Sequence, residues 1–285
     1  MTRKLLAAHS LKWNPFTAEI PPEAFFVTPA LDSFAFRVEQ LARDGGFALV
    51  TGEPGTGKSV ALRLLLERLS RLPDVKVAIL SRPQSAINDF YREMGEVFSV
   101  PLSPHNRWAG TKVLRERWQS HMQASLVRPV LLVDEAQEMP VACLNELRLL
   151  SSVELDSKLL LTVVLAGDAR LSAKLSRDEL LPLGSRMRVR LHLEPSAPEQ
   201  LMALLRHVLA AAGNPRLMTA ELVAALAGHS AGNARVLMTQ AAQLLDAALQ
   251  RDVAQLDEKL FLETLEAARP APQRAAAAAS ERRRR

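Results

Sequence analysis

The sequence predicts an α/β protein, a parallel sheet flanked by helices, followed by a smaller all-helical domain. Three observations carry this reading. Short, β-rich apolar runs recur at residues 47–51, 75–80, 130–133, 159–166 and 189–193. Segments of helical period lie between them, the alternation expected of parallel strands joined by crossover helices. After Pro195-Ser196-Ala197-Pro198 the strand signals stop and only helical ones continue.

Taken in order, residues 1–30, with Trp13-Asn14-Pro15-Phe16 and Pro21-Pro22, read as an irregular N-terminal arm leading to a first helix at residues 33–43. The strand runs are nearly uninterrupted apolar stretches, as strands buried on both faces are. The run at 159–166 fits a buried helix equally well on periodicity, but its Thr162-Val163-Val164 favours a strand. The sheet domain therefore spans residues 31–195. Helical signals at 199–212, 219–228, 234–251 and 257–268, punctuated by Gly213-Asn214-Pro215 and by residues 228–233, define a helical domain at 196–268. Residues 269–285 are dominated by Pro, Ala and Arg and read as a flexible basic tail.

Apolar residues make up 48% of the 285, which places the chain among globular proteins and not disordered ones. No apolar run approaches the roughly 18 residues of a membrane span, so no membrane association is expected. The apolar stretch after Arg3-Lys4 is broken by His9 and Lys12, too short for a signal peptide. Cys143 is the one cysteine, which excludes an internal disulfide and a thiolate metal cluster and points to a cytoplasmic location. The net charge of +5 resides in the tail, where six arginines face Glu281 alone. Residues 1–268 carry 30 basic and 30 acidic groups, so any affinity for nucleic acid must come from a local strip.

Gly52-Glu53-Pro54-Gly55-Thr56-Gly57-Lys58-Ser59 fits the phosphate-binding pattern G-x-x-x-x-G-K-[ST], with a strand before it and a helix after it. Its glycines let backbone N–H groups converge on phosphate oxygens, and the helix that starts near Lys58 and runs through Val60 aims its positive end at them. Lys58 would reach the β- and γ-phosphates of ATP, and Ser59 would ligate Mg²⁺. "PVLLVDEAQEMP" supplies the acidic partner at the end of an apolar strand. Asp134 would hold Mg²⁺ and Glu135 would polarise the attacking water, so the pair implies hydrolysis.

Other residues leave two readings open. Arg235, in the first turn of a helix, is a cation at a positive dipole end, and its compensating anion is either a γ-phosphate or a nearby acid. Arg186, between a helix and the last strand, is placed to act on a neighbouring subunit's nucleotide; Arg188 and Arg190 are rivals whose alternation with Val189 and Leu191 is ordinary strand patterning. Asp168 follows the fourth strand and serves either near the γ-phosphate or as the N-cap of the next helix.

The order of these elements resembles the AAA+ ATPases. Asn14-Pro15-Phe16, "GGFALVTGEPGTGKS", "LLVDEAQEMP", "LNELRLLSSVELDSKLLLTVVLAGDARL" and "SAGNARVLM" are similar to the ExeA/TniB/TnsC group over residues 11–266. That resemblance implies an AAA+ P-loop NTPase fold whose helical C-terminal domain is a lid, with Asp168 in the sensor-1 place, Arg186 as the finger and Arg235 as sensor 2. The group often has Gln or Asn where this chain has Asp168. Its members include transposition regulators and a secretion-pathway ATPase. A secretion ATPase of this kind would be expected to continue into a membrane span and a wall-binding module, whereas this sequence stops after the lid and the short tail. The resemblance therefore implies a regulator of DNA transposition. Such a regulator assembles with ATP as a ring or filament on duplex DNA, recruits a transposase, with a target-selection adaptor as a further partner, and disassembles on hydrolysis. Arg107, Lys112, Arg115 and Arg117 are the candidates for phosphate contacts with DNA, or else line a solvated helix face. The rival functions are an ATPase of a secretion or envelope machine and a nucleotide-gated scaffold with little turnover.

Overall fold

The computed structural model describes residues 2–101, 107–124, 126–154 and 157–268. In chain order its strands are β1 (Gly46–Gly52), β2 (Val75–Leu80), β3 (Arg128–Val133), β4 (Ser152–Val153), β5 (Lys158–Leu159), β6 (Thr162–Gly167) and β7 (Met187–Leu193). Five of them form one sheet in the order β2-β3-β6-β1-β7, and each neighbouring pair is parallel. The predicted five-stranded parallel sheet is thus the one observed. Every residue of β1 and β6 is buried, which is why their sequences are apolar without alternation.

The run at 159–166 is not one strand. Its first residue belongs to the antiparallel hairpin β4–β5, and Leu160 and Leu161 carry the chain into the sheet before β6 begins. Both leucines are buried, so hydrophobicity is continuous across the break and gives no signal of it. The helix expected from residue 33 is α2 (Pro29–Asp44) and begins four residues earlier. Thr28 Oγ1 accepts from the Leu31 N–H at 3.3 Å and Pro29 takes the first helical position, a start signal written in the sequence as Thr-Pro.

Helices α3 (Lys58–Ser70), α4 (Ile87–Phe98), α5 (Arg107–Ala124), α6 (Val141–Leu150), α7 (Ala169–Leu175) and α8 (Leu181–Gly184) complete the unit that holds the sheet. Leu114, Trp118 and Met122 recur every four residues on α5 and are buried. The Trp118 ring meets Phe98 of α4 edge to face at 5.1 Å. Tyr91 donates its hydroxyl to the buried Glu146 carboxylate at 2.8 Å, which gives α6 a polar tie to α4. These contacts tie α5 and α6 to α4.

The chain divides into two compact units. One gathers Phe25–Ser196 with Asn233–Arg235; the other gathers the described residues of Met1–Ala24, Ala197–Gly232 and Val236–Arg285. The second contains α1 (Thr2–Ala8), α9 (Pro198–Ala211), α10 (Ala220–His229), most of α11 (Ala234–Arg251) and α12 (Glu258–Ala268). The segment read as an irregular arm is therefore helical at its start, and it packs with these C-terminal helices. The Lys12 N–H donates to the Ala212 carbonyl at 2.8 Å, and Asn214 Nδ2 donates to the His9 carbonyl at 2.8 Å. Leu5 and His9, one turn apart, are buried there, a face too short to register as a periodic run. Among the described residues no helix is long and apolar enough to cross a membrane. The tail at 269–285 lies outside the described residues.

Candidate active site

The C-terminal ends of parallel strands collect loops on one edge of a sheet, where ligands of open α/β folds bind. Here the edge receives the loop after β1, the acids after β3 and the turn after β6. Residues 52–59 leave β1 as a tight loop: Thr56 Oγ1 donates to the Glu53 carbonyl at 2.8 Å, and Gly57 caps α3 in the left-handed region with φ 105°. The N-cap is a glycine, which has no side chain to offer α3, so the amides of Lys58, Ser59 and Val60 lie at a helix start that receives no side-chain acceptor from Gly57. Lys58 is 7% exposed, and its Nζ donates to the carbonyls of Gly52 and Glu53, both at 3.0 Å. These partners of the enclosed Nζ are neutral carbonyls, an arrangement that suits an anionic ligand.

Ser59 Oγ donates to Asp134 Oδ2 at 2.7 Å, across 75 residues of sequence. The two residues named as Mg²⁺ ligands thus meet. A hydroxyl and a carboxylate side by side form a hard-oxygen pair, and Mg²⁺ takes few protein ligands and completes its shell with water and phosphate. The donor set fits that ion. Glu135 follows with φ 50°, a left-handed conformation uncommon for a residue with a side chain, and its N–H donates to Asp134 Oδ1 at 2.9 Å. Its carboxylate is exposed and accepts a hydrogen bond from Gln137 Nε2.

Asp168 caps α7. One carboxylate oxygen accepts from the Arg170 N–H at 2.9 Å, and the other pairs with the Arg170 guanidinium at 2.8 Å. Arg170 also pairs with Glu138 at 2.9 Å. The side-chain hydrogen bond from Arg170 is the main cause of a carboxyl pKa below the usual range, and Lys58 adds a smaller pull in the same direction. The negative charge brought by an aspartate at this place is therefore offset by Arg170. A depressed folded-state pKa stabilises the fold fully above the ordinary value of 3.8 and ceases to do so as pH falls through the lower folded value. Asp168→Asn keeps an acceptor for the cap and removes only the charge. Asp168→Ala removes both and is expected to cost about 1 kcal/mol at neutral pH, read from denaturant midpoints, with the Asn variant losing less.

Asn233 and Arg235 join this unit. Asn233 Nδ2 donates to the Pro54 carbonyl at 3.0 Å, and the Arg235 N–H lies 3.3 Å from the Gly55 carbonyl. A Cβ on Gly55, whose φ is 88°, would sit 2.1 Å from Asn233 Oδ1, so this contact requires glycine. The Arg235 side chain is exposed. Asn233 carries no local signal in the sequence, because its partner is a carbonyl 179 positions away.

Arg186 is not brought to the phosphate loop or to Asp134 and Glu135. It precedes β7, whose Met187 pairs with Phe47 while Leu193 pairs with Gly52, so Arg186 sits at the opposite edge of the sheet. Six residues of strand put it roughly 20 Å from the loop. Arg188 and Arg190 are exposed along β7, and Arg190 donates to the Gly184 carbonyl at 2.9 Å. The DNA candidates part company as well. Arg115 is half-buried and donates to the Leu149 carbonyl, a tie between α5 and α6. Lys112 faces Glu116 at 3.8 Å and Arg117 is exposed. The Arg107 side chain lies outside the described residues.

A family model described as an AAA domain matches residues 41–175, which hold the phosphate loop, the acidic strand end and Asp168. Residues 41–175 form an AAA domain. General secretion pathway protein A of Aeromonas hydrophila is 37% identical to this chain over 172 residues. That stretch is 59% of this chain and only 30% of that relative. Among solved structures, Drosophila ORC bound to DNA covers 92% of this chain and is covered over 65% of its own length, with a TM-score of 0.68 and 19% identity. The Aeropyrum pernix ORC1 protein in complex with DNA gives 88% and 68%, a TM-score of 0.66 and 18% identity. At such identity the structures show the fold alone, and the AAA+ domain is a nucleotide-binding one.

Proposed function

We propose that this chain is an ATP-hydrolysing switch that assembles with copies of itself on duplex DNA and regulates DNA transposition. The observation that carries the hydrolytic part is the 2.7 Å contact of Ser59 with Asp134, with the enclosed Lys58 on one side and Glu135 next in the chain. Lys58 and the amides at the start of α3 bind the phosphates. Ser59 and Asp134 would hold Mg²⁺, which would supply charge neutralisation at the phosphate oxygens. Glu135 accepts a proton from the attacking water and orients it. Arg186, on the far edge of the sheet, reaches a phosphate only if that phosphate belongs to another copy, which supports an ATP-dependent homo-oligomer. Arg235 is the second cation proposed for the γ-phosphate.

For DNA, support comes from the fold neighbours whose structures contain it and from Lys112 and Arg117 on the exposed side of α5. Contacts of that kind are to phosphates, hence tolerant of sequence and sensitive to salt. A transposase and a target-selection adaptor are the partners in this reading, and the cytoplasm its location. A second reading, the ATPase of a secretion pathway, is favoured by the name of the Aeromonas relative. Steady-state ATPase measured with and without duplex DNA at low salt separates them. Stimulation that fades as salt rises supports the first. A rate indifferent to DNA, together with co-purification of envelope proteins, supports the second. The intact Asp134-Glu135 pair argues against a scaffold without turnover.

A further inference from the structure

We propose that Gln137 is a positioning residue for Glu135, fixing the carboxylate of the general base to the end of strand β6; this rests on the hydrolytic reading above. Gln137 is 5% exposed, and both ends of its amide are used. Oε1 accepts from the Asp168 N–H at 3.3 Å and Nε2 donates to Glu135 Oε2. The orientation follows from the partners: a backbone N–H only donates, so the oxygen must face Asp168, which leaves the nitrogen for the carboxylate.

Two features serve this bridge. A Cβ on Gly167 would lie 2.5 Å from Gln137 Oε1, so the residue before Asp168 must be glycine for the amide to reach the strand end. Lys174 of α7 donates to the carbonyls of Gln137 and Met139, both at 2.7 Å, and clamps the turn that presents the amide. One carboxylate oxygen of Glu135 is held while an ionised carboxylate keeps acceptor sites on the other for water. The backbone of Glu135 is itself in a left-handed conformation, so its side chain leaves the strand at an angle that the bridge then defines.

Two variants separate this role from mere packing. Gln137→Met matches the length but neither donates nor accepts. Gln137→Glu still accepts from Asp168 but cannot donate to Glu135 and sets a like charge beside it. Both are expected to lower kcat roughly ten- to hundredfold while the dissociation constant for ATP stays unchanged. Amide hydrogen exchange in nucleotide-free protein should rise at Asp168 in Gln137→Met and stay low in Gln137→Glu. In a Glu135→Gln background neither change should lower turnover further. Full turnover in Gln137→Glu, with or without a loss in Gln137→Met, overturns the positioning role, as does an additive loss in the Glu135→Gln background. A parent protein without turnover overturns the hydrolytic reading and this inference with it; an active parent with unaffected variants overturns this inference alone.

Discussion

Lys58→Ala is expected to abolish ATP turnover and to weaken ATP binding by at least ~100-fold, about 2.7 kcal/mol. The magnitude follows from the position of the ammonium. Lys58 is almost fully enclosed, so its interaction with a triphosphate is not screened as a surface ion pair is, and charge-assisted hydrogen bonds of this kind are each worth about 1.5–3 kcal/mol. The same substitution leaves the carbonyls of Gly52 and Glu53 without their shared donor. Lys58→Met fills the space and isolates the charge. Calorimetric titration with ATP, alongside a thermal melt of each variant, distinguishes a lost ligand from a loosened loop. An alanine or methionine variant that binds and cleaves ATP as the parent does would remove the basis of the functional reading.

Glu135→Gln should divide binding from chemistry. A positioned general base contributes about 10²–10⁴-fold, and kcat is expected to fall by that much while ATP affinity holds. Glutamine asks the same of the backbone, so the φ of 50° costs the variant nothing extra relative to the parent. The contacts of Ser59 with Asp134 and of Lys58 with the loop do not involve the altered side chain. Assemblies formed with ATP should then persist on duplex DNA, visible by negative-stain imaging, where the parent's disperse as ATP is consumed. A kcat within about twofold of the parent's would reassign the base.

The parts of the molecule legible in the sequence are those whose determinants are contiguous. The phosphate loop is a single stretch, and the strand that delivers Asp134 and Glu135 announces itself by an apolar run ending in two acids. Strands β1 and β6 were legible for a related reason: strands buried on both faces must be apolar at every position. That property also hid the break between β5 and β6, since Leu160 and Leu161 are as buried as the strand that follows them. The residues that were not legible act through tertiary contact. Gln137 reads as an unremarkable polar residue until Gly167 and Asp168 are brought beside it, and Asn233 until Pro54 is. Arg170 had no claim to notice before its guanidinium was found on Asp168, which turned a troublesome charge into a paired one. Thr28-Pro29 is a different case, a local start signal present in the sequence and passed over for the apolar residues behind it.

The direction of β7 has an arithmetical consequence. If Arg186 serves a phosphate at all, each copy owns a pocket at one edge of its sheet and lends an arginine from the other, and the two never belong to the same reaction. Competent centres are then counted by junctions: an open row of n copies has n − 1 of them, a closed ring has n, and a solitary copy has none.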